Sequence, residues 1–544
     1  MISARPDSAP AEPSAVAPPA TCLPAWGVDD LPEPERLSWR HWTRFVGPGV
    51  VMMGVQIGGG EWLFGPEITA RYGGGLMWIA TIAIVVQVFY NLECGRYALY
   101  CGEPVMTGFL RLKPGPTFWA SFFLLLNLGA MIPGLASHGG AVLASLALGR
   151  PAGAAERPMV MALAYFCLVV VVVPVLFGGR IYNTLQAVMS VKVFGVLGFS
   201  LAMGLLFVGP TNWWNVVSGF TKFGTIPVPD GRGGEVAVNA FAHFAREGVW
   251  PTVSLANIAV LGAFAGYAGG GGLGNSLYAN FVRDKGWGMG SRVGAIPSAV
   301  GGRNVSLSHL GKVFPTSPEN LRRWGGWWEY VVVDQVFVWA PGCFVGMALP
   351  ALMSMQFAPH SALYREHAKM DWAQSVISAD GLRHLPGVGP ALGFWLWTAM
   401  LLVGLLVLLP SQMSVVDEVS RRWTDVIWSA NARVRDGLEH GQVRIIYYTI
   451  LTLYVAWCVA SLYLFSTYGT PKLMTMVIAN IGNVSIGFTA FQILHVNRRL
   501  LPPPLRPRWY HQLGLVACGT FYLGIAALVF AEKQWPMIRG WIGV

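Results

Sequence analysis

Apolar runs of about 20 residues, long enough to cross a bilayer as helices, recur eleven times in this chain. They lie at 44–71, 75–99, 117–148, 158–178, 183–209, 253–282, 328–355, 390–410, 444–465, 472–496 and 510–531. Lipid offers backbone N–H and C=O groups no water, so segments of this kind are helical and the chain is confined to an all-α integral membrane fold. Composition agrees: 54% of the 544 residues are hydrophobic and 12% are charged, which argues against a large soluble enzyme. Two of the eleven runs are interrupted, the first by Gly58-Gly59-Gly60-Glu61 and the sixth, after Ala268, by Gly269-Gly270-Gly271-Gly272-Leu273-Gly274. Glycine is a weak helix former, and unwound backbone at membrane depth is tolerated only where it is buried in protein or lines a cavity. Two broken spans in corresponding positions of two halves point to a solute site between them. The candidate contacts are Gly58, Gly59, Gly60, Glu61, Ala268, Gly270, Gly271, Gly272 and Leu273.

Residues 1–36 are rich in Pro and Ala, carry Asp7, Glu12, Asp29, Asp30 and Glu33, and read as a disordered cytoplasmic tail. They lack the basic start and apolar centre of a signal peptide. The long hydrophilic connections fall at 210–252, 283–327, 356–389 and 411–443, and most of the 37 Lys and Arg lie on the side that also holds the N-terminus. The positive-inside rule makes that side cytoplasmic, and the expected location is the bacterial cytoplasmic membrane. The net charge of +10 then serves anionic headgroups; without a basic folded domain, no nucleic-acid partner is expected. Seven scattered cysteines form no CxxC pair and read as apolar packing. No HExxH, GxSxG or Walker sequence is present, so neither catalysis nor a cofactor is expected. Gly269, Gly271 and Gly274 satisfy a dinucleotide G-x-G-x-x-G in form only, because no βαβ unit fits inside a membrane span.

The register from Gly47-Pro48 through Gly58-Gly59-Gly60-Glu61 to Ala70-Arg71-Tyr72-Gly73 and Leu76-Met77-Trp78, continued by Glu93-Cys94-Gly95-Arg96 and Thr107-Gly108, resembles the first two helices of the natural-resistance-associated macrophage protein (Nramp) family of divalent-metal transporters. The resemblance implies a LeuT-type 5+5 inverted repeat: repeat one at 44–209, repeat two at 253–496, together a transporter core over 40–500, with a peripheral eleventh helix at 510–531. In that family the first break reads Asp-Pro-Gly-Asn, and its metal-binding Asp and Asn fall on Gly58 and Glu61 here. The second break carries a metal-binding Met followed by Pro-His, at positions held here by Leu273 and Asn275, and a Gln completing the metal shell lies near Asn480. Ser411-Gln412 loosely resembles a polar stretch on the family's eighth helix. The acidic proton relay of the family's third helix has no counterpart, since no Asp or Glu lies between Pro116 and Gly149.

The resemblance implies alternating-access transport of a divalent cation. With Glu61, Asn275, Asn480 and carbonyls as ligands and no sulfur, the ion would be hard, such as Mg²⁺ or Mn²⁺. The glycine-rich breaks leave open a small organic solute such as an amino acid, its carboxylate on bare backbone and its ammonium on Glu61. A non-transporting sensor is the third reading. Further intramembrane polar residues are Lys192, expected to pair with Asp334 or Glu61, Glu93 with Arg96 on one helix face, His138, and Asn480 with Asn483 on another face.

Overall fold

The computed structural model describes residues 22–36, 47–177, 181–232, 234–296, 307–365, 371–438, 442–536 and 539. Among these, nine helices are long and apolar enough to cross a bilayer, from Trp78–Cys101 to Trp509–Gln534. They account for the expected spans other than the first and the sixth, which are the interrupted ones. The first runs as Pro48–Gln56, turns at Ile57 and Gly58, and resumes as Gly60–Phe64 and Gly65–Tyr72. The sixth runs as Ile258–Tyr267, opens into a loop from Ala268 to Leu273, and resumes as Gly274–Ser276 and Leu277–Lys285. Gly269, Gly271 and Gly272 take φ of 90°, 81° and 58°, a left-handed backbone that side-chain-bearing residues adopt at a cost. The second break therefore needs glycine for its shape.

The third span is broken too. Pro116–Leu126 ends at Asn127, a short turn of helix covers Leu128–Met131, and Gly134–Leu148 begins after Pro133, which has no N–H to continue the ladder. The eighth span corrects an expectation. It does not stop at 410 but runs unbroken as Pro390–Ala430, so much of the supposed connection 411–443 is buried helix. Its charges are accommodated because Asp417 and Arg421, and Glu418 and Arg422, sit one turn apart and pair along the helix, and further partners reach them from neighbouring spans.

The tail is a second correction. Residues 1–21 and 37–46 lie outside the described residues, but 22–36 pack against the face that carries the N-terminus. Gly27–Val28 pairs in parallel with Lys312–Val313. Leu23, Trp26 and Leu31 are buried, and the Arg111 guanidinium sits 4.4 Å over the Trp26 ring while donating to Pro24 O at 2.8 Å. Glu33 pairs with Arg322 and Arg323, and Trp327 Nε1 donates to Pro32 O. Three well-spaced apolar side chains anchor a segment whose average composition resembles a disordered one. Trp26→Ala is expected to weaken this strap by about 3 kcal/mol, read as faster limited proteolysis within 22–36.

On the opposite face, the 210–252 connection folds as a helix Pro210–Gly219, an antiparallel hairpin Thr225–Pro229 with Glu235–Asn239, and a helix Ala240–Glu247. Glu235 accepts from Tyr72, Ser254 and Asn257, so the hairpin holds the ends of the first and the beginning of the sixth span together.

Candidate functional site

The two breaks touch. A Cβ on Gly60 would fall 2.5 Å from Tyr267 O, so glycine lets one backbone lie directly on the other. Glu61, fully buried, bridges them: Oε2 accepts from the Gly58 N–H at 3.2 Å and Oε1 from the Gly269 N–H at 3.5 Å. Gly58 stands three residues ahead of Glu61 at the start of the second half-helix, so the first contact is one arm of a capping box, a carboxylate at the positive end of the helix.

The end of the first half-helix carries the opposite arrangement. Lys192, fully buried, donates to Ser411 Oγ, which lies 3.2 Å from Val55 O and 3.4 Å from Ile57 O, carbonyls at the C-terminal end of the half-helix Pro48–Gln56 and its cap. The expected partners of Lys192 are thus corrected. Asp334 instead accepts from Gly49 N–H, Tyr278 OH and Gln335 Nε2, each at 2.9 Å. No ion-pair contact joins Glu61 and Lys192 among the described residues, Glu61 accepting from backbone N–H groups and Lys192 donating to Ser411. The Glu93–Arg96 pair forms as expected, at 2.9 Å.

Between the breaks and the third, eighth and tenth spans lies a cavity of about 120 Å³. Its wall includes Gly59, Gly270, Gly271, Gly272 and Leu273 of the expected residues, together with the amides of Gln56, Asn127 and Gln412, the Ser411 hydroxyl and Glu418. Gly58, Gly60 and Ala268 shape the breaks without lining the cavity; Ala268 O is taken by Gln87 Nε2 at 2.7 Å. Asn275 lies behind the glycine loop, donating to Gln87 Oε1 at 2.8 Å and Asn91 Oδ1 at 3.0 Å. Asn480 is on the far side of the tenth span, donating to Ala259 O at 3.0 Å and lining a separate groove near Asn257 and Lys472. The expected ligand set Glu61, Asn275 and Asn480 is therefore not brought together, because Asn480 is rotated away from the breaks. Among the described residues no group of three or more His, Cys, Asp or Glu could hold a metal ion. His138 lies buried against Thr475 Oγ1 at 3.3 Å.

Sequence reasoning missed Gln56, Asn127 and Glu418. The signal for the first two was a lone amide in an apolar run, two residues before the first break and six before Pro133. Glu418 pairs with Arg422, which also donates to Asn127 Oδ1 at 2.6 Å and Leu273 O at 2.9 Å, so the carboxylate on the wall is neutralised and three spans are tied at one end of the cavity. Beyond it, Arg421 pairs with Asp284 and Asp417, and Arg283 with Asp284 and Asp425, all buried. Towards the opposite face, Glu67 accepts from Lys472 and Gln374 at 2.8 Å and from Arg71 at 3.1 Å. Buried ion pairs thus tie the end of the sixth span to the eighth and the second half of the first span to the tenth.

No family profile and no curated protein matches this sequence. Solved structures match it at the level of fold. The manganese transporter of Eremococcus coleocola, in complex with an aromatic bis-isothiourea substituted compound, is 13% identical, with 92% of this chain and 90% of that chain covered and a TM-score of 0.59. A histidine-to-alanine variant of that transporter is 13% identical over 95% and 94% of the two chains, with a TM-score of 0.58. The chain therefore has the all-α, integral membrane fold of LeuT type that the resemblance to the Nramp family implied.

Proposed function

We propose that this protein is a membrane transporter that moves a small polar solute by alternating access and binds it in the cavity between the two breaks. The observation that carries this reading is the pair of interrupted helices, latched to each other by Glu61, with backbone and amide groups around a cavity at their junction. Repeat one, 44–209, and repeat two, 253–496, supply the bodies that rock, with 510–531 at the periphery and the N-terminus cytoplasmic. The ion pairs about Arg421 and those about Glu67 act as alternate locks: one cluster must part for each face to open.

Charge decides the cargo. Glu418, the acidic residue on the cavity wall, is paired with Arg422. A divalent cation would enter a wall with no surplus negative charge, at a desolvation cost that carbonyls alone offset poorly. A small organic solute with no net charge meets no such cost. A hard divalent cation such as Mg²⁺ or Mn²⁺ is the second reading, favoured by the manganese transporters that share the fold.

The test is a thermal-shift titration of the purified protein with Mg²⁺, Mn²⁺, Ca²⁺ and a set of amino acids, repeated on Glu61→Gln. Stabilisation by an organic solute alone is expected. Stabilisation by a divalent ion alone, lost in Glu61→Gln, would replace this cargo with the metal. Proton coupling through the third span is not expected, since it holds no Asp or Glu between Pro116 and Gly149; acidification of proteoliposomes that depends on solute would overturn that expectation.

A further inference from the structure

The groove that Asn480 lines has a volume of about 970 Å³ and lies on the other side of the tenth span from the solute cavity. Val477, Asn480, Ile481 and Val484 face the groove, whereas Ile478, Ala479, Gly482 and Ser485 face the cavity. Its other walls are the start of the sixth span and the eleventh helix from Ala526 to Gln534. The two ends of the groove differ in chemistry. Towards the face opposite the N-terminus, Arg157, Asp371, Lys472 and Lys533 line it at the ends of their spans. Deeper in, Val477, Ile481, Val484, Ala526 and Val529 make it apolar. Asn480, at that depth, directs its amide hydrogens to Ala259 O at 3.0 Å and Met476 O at 2.8 Å, so its donors are satisfied within the protein. The apolar part opens sideways to the bilayer: Leu473, Val484 and Phe530 on its wall are 43%, 44% and 49% exposed.

Water in an apolar furrow between membrane spans would find neither polar partners nor bulk solvent, so the bilayer itself fills the space, with an acyl chain. Lys472 and Val484 are twelve residues apart on one helix, about 18 Å, which matches the half-thickness of about 15 Å of a hydrocarbon core. The polar end selects the headgroup. Its lining holds three cations and one acid. Lys472 is matched by Glu67 at 2.8 Å and Asp371 at 3.4 Å. Lys533 is exposed and donates to Ala256 O at 2.9 Å, with no carboxylate in ion-pair reach among the described residues, and the Arg157 guanidinium lies 6.0 Å over the Trp372 ring. These cations stand on the face that holds the minority of the Lys and Arg, where the positive-inside rule does not account for them. We propose that the groove binds an anionic phospholipid, its phosphate at Lys533 and Arg157 and one acyl chain between the tenth and eleventh spans. The lipid joins the eleventh span to the half-helix Ile258–Tyr267 without entering the cavity, so the proposal stands whether or not the cavity holds the solute.

The test uses the full chain, purified in detergent and freed of co-purified lipid, titrated with dioleoyl phosphatidylglycerol, dioleoyl phosphatidylcholine and glycerol 3-phosphate, with bound molecules counted by native mass spectrometry. Phosphatidylglycerol is expected to bind about tenfold more tightly than phosphatidylcholine, and glycerol 3-phosphate, which has no chains, is expected not to bind. Lys533→Glu should abolish the preference for phosphatidylglycerol. Val484→Trp, which fills the apolar end, should weaken both lipids about tenfold. Both positions are exposed, so the melting profile of the lipid-free protein should be retained. Arg508→Glu, at an exposed cation on the opposite face, should change nothing. Equal binding of the two lipids would overturn the proposal, and so would binding of glycerol 3-phosphate as tight as that of phosphatidylglycerol, which would make this a site for free phosphate. Binding indifferent to Val484→Trp would place the lipid outside the groove. A loss in Arg508→Glu as large as in Lys533→Glu would reduce the preference to overall charge and overturn the proposal as well.

Discussion

Arg421→Leu is expected to destabilise the protein by about 3–5 kcal/mol, because it leaves the buried Asp417 without a counter-ion and takes from Asp284 one of its two. Arg421 is fully buried, pairs with Asp417 at 3.1 Å one turn away on its own helix, and reaches Asp284 at the end of the sixth span. Tyr447 adds a hydrogen bond to Asp417 at 2.6 Å, and Asp284 is shared with Arg283. In Arg421→Leu the Asp417 and Asp284 carboxylates keep those smaller contacts and lose their common counter-ion. The measurement is the melting temperature in detergent, with the triple variant Arg421→Leu, Asp417→Leu, Asp284→Asn as control. Most of the loss should return in the triple variant, since replacing a whole buried ion cluster is far cheaper than breaking it. A triple variant no more stable than the single one would mean that the cluster supplies stability outright. Transport offers a second readout. A lock that must part on opening should, when loosened, bias the protein towards the state open on that face.

Gly60→Val is expected to abolish transport and to cost about 3 kcal/mol or more of stability. The added Cβ would lie 2.5 Å from Tyr267 O and 2.6 Å from its carbonyl carbon, and backbone cannot move aside as a side-chain tip can. The two breaks must separate, and the Glu61 bridge from Gly58 to Gly269 separates with them. Gly65→Ala is the comparison on the same half-helix. Its Cβ would meet Met347 Sδ at 2.6 Å, a flexible thioether that can turn away, so the effect should be much smaller. Uptake into proteoliposomes together with binding separates the outcomes. Loss of binding in Gly60→Val with a near-normal melting profile would show that the contact shapes the cavity more than it holds the fold.

Much of the architecture was legible from residues 44–531. The spans and the two breaks follow from local rules: length and apolarity for the first, glycine runs for the second. Where those rules misread, a few side chains outweighed the average. Trp26 and Leu31 order a segment that composition assigns to disorder, and pairing along the helix lets 411–430 stay buried despite its charges. Of the residues singled out from the sequence, Gly270, Gly271 and Gly272 line the cavity, whereas Asn480, chosen by its distance along the chain from a family pattern, turns to Ala259.

What the sequence determined by itself is what a bilayer demands of any chain: helices of sufficient length, and irregular backbone only where glycine permits and protein encloses it. These are local requirements, met within each span. Which way Gln56, Asn127 and Gln412 face, and that Lys192 rests on Ser411 rather than on an acid, only the tertiary structure decided. A helix presents a side chain in some direction, but its rotation is set by neighbours hundreds of residues away. The partner that fixes each amide, Trp339, Arg422 or Ala136, is 283, 295 or 276 positions distant in the chain.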